Sequence, residues 1–246
     1  MSSKHPALRG FLDMLLLHSR LSKAEQEAVL ELPGRATNFR SRVDIVSPGE
    51  TVDHACLVAS GLLARFDQMR DGQRQTTALH IAGEMCDLHS VVQPRASWSI
   101  TALTEASVLF VQHKHLWDAA LRHPNLAIAF WRDGMAQAAI LAKWVGNLGR
   151  KSAAARVAHL VCEMGLRIES AGLGARTRFE LPMTQEQLAD AIGVTNIHAN
   201  RVLQRLRKDG ILNFQRPHVE VGDWTALATL AEFEPNFLQL RTGGLT

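Results

Sequence analysis

At 246 residues the chain is long enough to bury a core in one large domain or two modest ones, and a hydrophobic content of 46% is ordinary for a soluble protein. A formal net charge of +3 excludes a polycation, and no stretch approaches the roughly 18 uninterrupted apolar residues of a membrane span. Cys56, Cys86 and Cys162 stand far apart with no CxxC pair, which argues against a disulfide framework or a cysteine-rich metal site and fits a reducing compartment.

The opening MSSKHPALRG lacks a signal peptide's order of basic, apolar and small regions, so a cytoplasmic protein is expected. LSKAEQEAVLEL, residues 21–32, reads as a helix. From about residue 36 to 112 glycines, prolines and β-branched runs alternate in SRVDIVSPGE, HACLVASGLLARF, RQTTALHIAGE and SWSITALTEASVLFV. Short strands with turn signals at that spacing predict a small β-barrel or roll. A long helical segment then runs over about 124–149. In it Trp131, Gly134, Ala138, Leu141, Val145 and Leu148 recur at alternating steps of three and four, with Phe130 and Trp144 alongside, the heptad spacing of a helix seam. The same stripe would also serve to pack the helix on its own domain.

KSAAARVAHLVCEMGLRI, residues 151–168, has helical periodicity, and FELP at 179–182 reads as a brief extended segment. TQEQLADAIGVTNIHANRVLQRLRKDG follows. Thr184 and Gln187 have capping-box spacing, Thr195 is a second N-cap, and Gly193 supplies a turn between the two helices. On a 3.6-residue period Ala199, Val202, Leu203 and Leu206 form one side, to be met by Leu188, Ala189 and Ile192. The other side carries Ile197, Asn200, Arg201, Gln204 and Lys208, with Thr195 and Asn196 at its leading end, groups that read base edges or hold phosphates. From residue 195 to 218 there are five basic residues (Arg201, Arg205, Arg207, Lys208, Arg216) against Asp209, a local charge of +4. ILNFQ and HVEV, turned at Arg216-Pro217, predict a hairpin wing. These elements compose a winged helix-turn-helix, whose candidate DNA-binding residues are Thr184, Thr195, Asn196, Ile197, Asn200, Arg201, Gln204 and Lys208.

This order of β-roll, long helix and winged helix-turn-helix resembles the Crp/Fnr family of bacterial transcription regulators over nearly the whole chain. The marks are SPGE at 47–50, Gly61 in ASGLLARF, AGE at 82–84, VGNLG at 145–149 and the helix-turn-helix itself. The resemblance implies an α+β fold in three parts: a cyclic-nucleotide-binding-like roll at 1–123, a dimerisation helix at 124–150 and the DNA-binding domain at 151–246. It further implies a homodimer on a two-fold symmetric operator of double-stranded DNA, contact with RNA polymerase, and control by an effector in the roll. The dimer residues are then Trp131, Ala138, Leu141, Val145 and Leu148, which set the recognition helices about 34 Å apart. Where the family's cyclic-AMP receptor carries arginine and glutamate on the recognition helix, this chain has Asn196 and Ile197.

No cofactor is identified. Members that bind cyclic nucleotides hold a Gly-Glu pair and, about ten residues on, an Arg-Ser pair; Gly83-Glu84 and Arg95 with Ser97 are the nearest match. The spacing from Gly61 instead puts Asp87-Leu88 at the Gly-Glu place, where a carboxylate would repel phosphate, and Leu141 and Ala142 lack the hydroxyls that contact adenine. These departures argue against a cyclic nucleotide, with Arg95 and Ser97 kept as candidate effector contacts. Iron–sulfur sensing needs clustered cysteines near the N-terminus, and none precedes Cys56. Haem or another metal would have only Cys86, His89 or the HKH at 113–115, and Cys86 as a redox-sensitive thiol depends on its exposure. The other readings are a cupin-like metal enzyme and a non-specific DNA-packaging protein. The eleven histidines are scattered, and GxSxG, the phosphate-binding GxxxxGK[ST] and GxGxxG are all missing, so no catalysed reaction is expected.

Overall fold

The computed structural model describes residues 5–240; residues 1–4 of the opening stretch and 241–246 of the DNA-binding segment lie outside it. Two compact units divide it. Of the described residues, the first holds 5–66, 79–138 and 239–240, and the second holds 67–78 and 139–238. Among the described residues no helix is long and apolar enough to cross a membrane.

The first unit opens with two helices, α1 (Pro6–His18) and α2 (Lys23–Leu30). Pro6 suits the first turn of α1, where its missing N–H is not needed. Ser22 and Glu25 close a capping box on α2. Strands β1 (Arg35–Phe39), β2 (Asp44–Val46), β3 (His54–Ser60), β4 (Leu63–Gln68), β5 (Arg74–His80), β6 (Ser99–Ala102) and β7 (Ala106–Gln112) follow in the chain, most of β5 falling in the 67–78 segment of the second unit. They form two sheets, ordered β1-β7-β3 and β2-β6-β4-β5. Helix α3 (His113–Arg122) leaves the last strand, so the HKH considered as a ligand set begins a helix.

Strand β3 of the β1-β7-β3 sheet is apolar on both faces, which is why it reads as the unbroken run ACLVA. Successive side chains of a strand point to opposite faces. Ala55 and Leu57 join a core with Leu8, Phe11, Leu12 and Leu15 of α1, while Cys56 and Val58 join the roll interior with Val46, Leu63, Ile100 and Val108. The chain turns from β3 to β4 at Gly61, with φ +87°, where a Cβ would stand 2.5 Å from the Glu105 carbonyl oxygen. Only glycine fits that turn.

Helix α4 (Pro124–Arg150) continues through the boundary between the units. The second unit then contains α5 (Ala153–Ser170), β8 (Arg178–Glu180), α6 (Gln185–Ile192), α7 (Asn196–Lys208), β9 (Leu212–Gln215), β10 (His218–Val221) and α8 (Trp224–Ala231). The three strands pair antiparallel as β8-β10-β9, and a cis Arg216-Pro217 bond lies in the turn from β9 to the central β10. Glu163 of α5 is fully buried but satisfied, accepting from Trp144 Nε1 at 2.7 Å and from Arg167 Nη1 at 2.8 Å. Helix α8, absent from the sequence reading, is capped by Asp223 and packs on α5.

Candidate nucleic-acid interface

Helices α6 and α7 begin as their spacing requires. Thr184 Oγ1 accepts from Gln187 N at 3.2 Å while Gln187 Oε1 accepts from Thr184 N at 2.8 Å, and Thr195 Oγ1 accepts from His198 N at 3.3 Å. Each cap satisfies amides that the first helical turn leaves unpaired. Both threonines are therefore committed as acceptors, and what they retain for a phosphate is the hydroxyl proton. Between the helices Gly193 is left-handed at φ +65°, and Leu148 Cδ2 lies 2.8 Å from where its Cβ would be.

The carbonyl end of α6 is held by two side chains that sequence reasoning did not find. Arg156 Nη1 of α5 donates to the Ile192 carbonyl at 2.9 Å, and Gln75 Nε2, in the 67–78 segment of the same unit, donates to the Asp190 carbonyl at 3.0 Å. Terminal carbonyls need such partners because no further turn supplies their amides. Neither partner has a local sequence signal, since they lie 36 and 115 residues away.

α7 buries Ala199, Val202, Leu203 and Leu206, and removing each of the three larger side chains from water contributes about 2 kcal/mol. Asn196, Ile197, Arg201, Gln204, Arg205, Arg207 and Lys208 are exposed, and Asn200 is half-buried. Ile197 is 68% exposed and so is not packed against the wing. Thirteen residues give α7 a length of about 20 Å, enough to lie in a DNA major groove. Arg205 pairs with Asp209 at 3.7 Å, but both are exposed and such a pair contributes little, leaving the arginine available to phosphate. Asn200 Nδ2 donates to Gln185 Oε1 at 2.7 Å, a bond with no counterpart in the sequence reading.

α4 presents a second bare line. Its buried side runs through Leu126, Ala129, Ala136, Ile140 and Trp144, while Ile128, Trp131, Met135, Ala138, Ala142 and Val145 are exposed at steps of three and four. Trp131, Ala138 and Val145 of the expected seam lie on this line. Leu141 and Leu148 are half-buried, and Ile128, Met135 and Ala142 take the intervening places.

Polar groups are enclosed inside the roll. Asp87 is buried at the head of a 3-10 turn (Leu88–Val91), and its Oδ1 accepts from Cys56 N at 2.6 Å. Burial pushes its carboxyl up to about 6. Arg65 is also buried, its guanidinium carbon 4.5 Å from the centroid of the Trp98 ring. Burial, and then the nearby Asp87, holds the Cys56 and Cys86 thiols well above their ordinary range, which makes Cys86 a poor nucleophile. His89 is driven down to about 4, chiefly by burial. Arg95 and Ser97 are both exposed. Among the described residues no group of three or more His, Cys, Asp or Glu side chains is gathered to hold a metal.

Two family models match the chain. Residues 36–123 match the cyclic nucleotide-binding domain, and residues 155–230 match the Crp-like helix-turn-helix domain. The transcriptional activator protein FnrL of Cereibacter sphaeroides is 23% identical over 209 residues, 83% of each chain. The nitrogen fixation regulation protein FixK of Azorhizobium caulinodans is 25% identical over 190 residues, 77% of this chain and 76% of its own. The solved structure of FixK2 from Bradyrhizobium japonicum superposes with a TM-score of 0.74 at 26% identity, covering 81% of this chain and 98% of that one.

Proposed function

Because the chain belongs to the Crp/Fnr family of DNA-binding transcription regulators, we propose that it works as a homodimer joined along α4, its two α7 helices reading the half-sites of a two-fold symmetric operator. The observation that carries this reading is the exposed side of α7, where Asn196, Ile197, Asn200, Arg201, Gln204 and Lys208 sit on a helix whose buried side and both ends are fixed. Arg201 has the fork geometry for guanine O6 and N7, and Lys208 offers a point charge to phosphate. Ile197 has no acceptor for a cytosine amino group but can pack on a thymine methyl, so the half-site under it is richer in A·T. The reading assigns the protein to the cytoplasm, contact with RNA polymerase as its output, and no catalysed reaction.

For the roll the reading assigns an effector-binding role without a cyclic nucleotide. Asp87 would set a carboxylate at the phosphate place, while Arg95 and Ser97 supply no enclosed cradle. Millimolar cyclic AMP or cyclic GMP should then leave the melting temperature and DNA affinity unchanged, and a rise in either on adding one of them would overturn this part.

The deciding experiment selects bound sequences from a random duplex pool at two salt concentrations. A two-fold symmetric site, enriched in A·T at one position and persisting at the higher salt, is the expected result. Equal retention of all sequences, with affinity that vanishes as salt rises, would mark non-specific phosphate binding instead.

A further inference from the structure

Gln185 is the first residue of α6, exposed and at the edge of the α7 face, and 15 residues separate it from the Asn200 it touches. In helix-turn-helix proteins the first helix crosses the DNA backbone while the second enters the groove. The contact therefore links a side chain beside the phosphates to one facing the bases. An amide carries one acceptor oxygen and two N–H donors, so its orientation decides what it can read.

We propose that Gln185 is a positioning residue for base recognition, fixing the Asn200 amide so that it reads adenine. This rests on the operator reading given above. A phosphate accepts but cannot donate, so on DNA the Gln185 Nε2 turns toward the backbone and Oε1 turns inward. Oε1 can then accept only from the Asn200 Nδ2, the bond seen at 2.7 Å. Asn200 is left with its second N–H and Oδ1, which donate to adenine N7 and accept from the N6 amino group. Turned over, the same amide would aim a donor at the six-position and its oxygen at the acceptor N7, so it would clash with adenine at both atoms but with guanine at N7 alone, where O6 still takes the donor. Turning it over on DNA would set two amide oxygens against each other or force Gln185 Oε1 against a phosphate.

The test uses the full chain, the operator selected by the wild type, and versions of that operator with each A·T pair changed to G·C. Gln185→Ala should lower the preference for adenine over guanine at one half-site position roughly tenfold, the scale of one bidentate contact. Other positions should be unaffected. Asn200→Ala should erase the same preference, and the double variant should be no worse than Asn200→Ala, since the two residues act as one unit. Gln185→Glu keeps an acceptor for Nδ2 but sets a negative charge beside phosphate, so it should bind every sequence more weakly while keeping the preference. If Gln185→Ala retains the wild-type ratio of adenine to guanine, or weakens all sequences equally, Gln185 touches phosphate alone and the inference fails. A wild type with no base preference at any position would overturn the operator reading itself, a different result from either.

Discussion

Helices α4 and α7 each bury one side and leave a line of side chains bare, and the two lines differ in kind. The bare line of α4 is apolar, from Ile128 through Trp131 and Met135 to Val145, whereas that of α7 is amide and guanidinium with a single isoleucine. An apolar line gains free energy only from another apolar surface and is nearly indifferent to salt. A polar, basic line gains from phosphates and base edges and weakens as salt rises. The contrast fits the proposed partners, a second copy of the chain along α4 and DNA along α7. The interior of the roll makes a third case, because Arg65 and Asp87 are polar groups withheld from solvent altogether.

The largest effect should come from making the two lines alike. Trp131→Glu with Val145→Glu puts carboxylates where apolar contact is expected, and burying two unpaired charges should weaken self-association by about a thousandfold or more. Sedimentation at micromolar protein would then show monomers that still bind single half-sites. A dimer of unchanged affinity would place the interface elsewhere.

The withheld groups answer to pH instead. Asp87 sits among the Cys56 amide and thiol, Cys86, His54 and Arg65, and burial raises its carboxyl from 3.8 to about 6. The folded chain thus holds a proton that the unfolded chain has released, so stability falls as pH rises from about 4 through 6 and levels off above. A difference of about two pKa units corresponds to about 3 kcal/mol at neutral pH. Asp87→Asn removes that term, so its melting temperature should gain on the wild type's between pH 5 and 7. A constant difference across that range would mean the carboxyl is ionised throughout.

Arg201→Ala should cost about 1 to 3 kcal/mol on the selected operator and far less on random duplex, because a base contact discriminates and a phosphate contact does not. Equal losses on both would move Arg201 into the same class as Lys208. The smallest change is expected there: Lys208→Ala should weaken all sequences alike and reduce the slope of log affinity against log salt by about 1. A loss confined to the operator would instead make Lys208 a base reader.

What could be read from the chain before its structure was what local spacing governs. The caps at Thr184 and Thr195, the left-handed Gly193 and the buried side of α7 all depend on residues within one or two turns. The phase of α4 does not. Two heptad registers one residue apart run along it, through Gly134, Leu141 and Leu148 or through Met135 and Ala142. Which is bare depends on Leu141 and Leu148 being drawn partly inward beside Ile140 and Trp144. α1 carries Gly10 inside its run and α3 opens on the polar HKH, so neither shows an unbroken helical period. Gln75, Arg156 and Gln185 escaped notice for one reason: each works on a residue far away in sequence, and no periodicity marks such pairs.

The exposure of Trp131 has an optical consequence. The chain has five tryptophans and no tyrosine, so its ultraviolet-excited emission comes almost wholly from indole rings. Trp144 is sealed in with its N–H on Glu163, and Trp98 lies against Arg65, so their surroundings stay constant while the fold is intact. Trp131, at 68% exposure, emits as a ring facing water until another surface covers it. Covering α4 should therefore shift the emission to the blue as protein concentration rises, and Trp131→Phe should abolish that shift while preserving an aromatic contact. The helix carries its own gauge of whether it is covered.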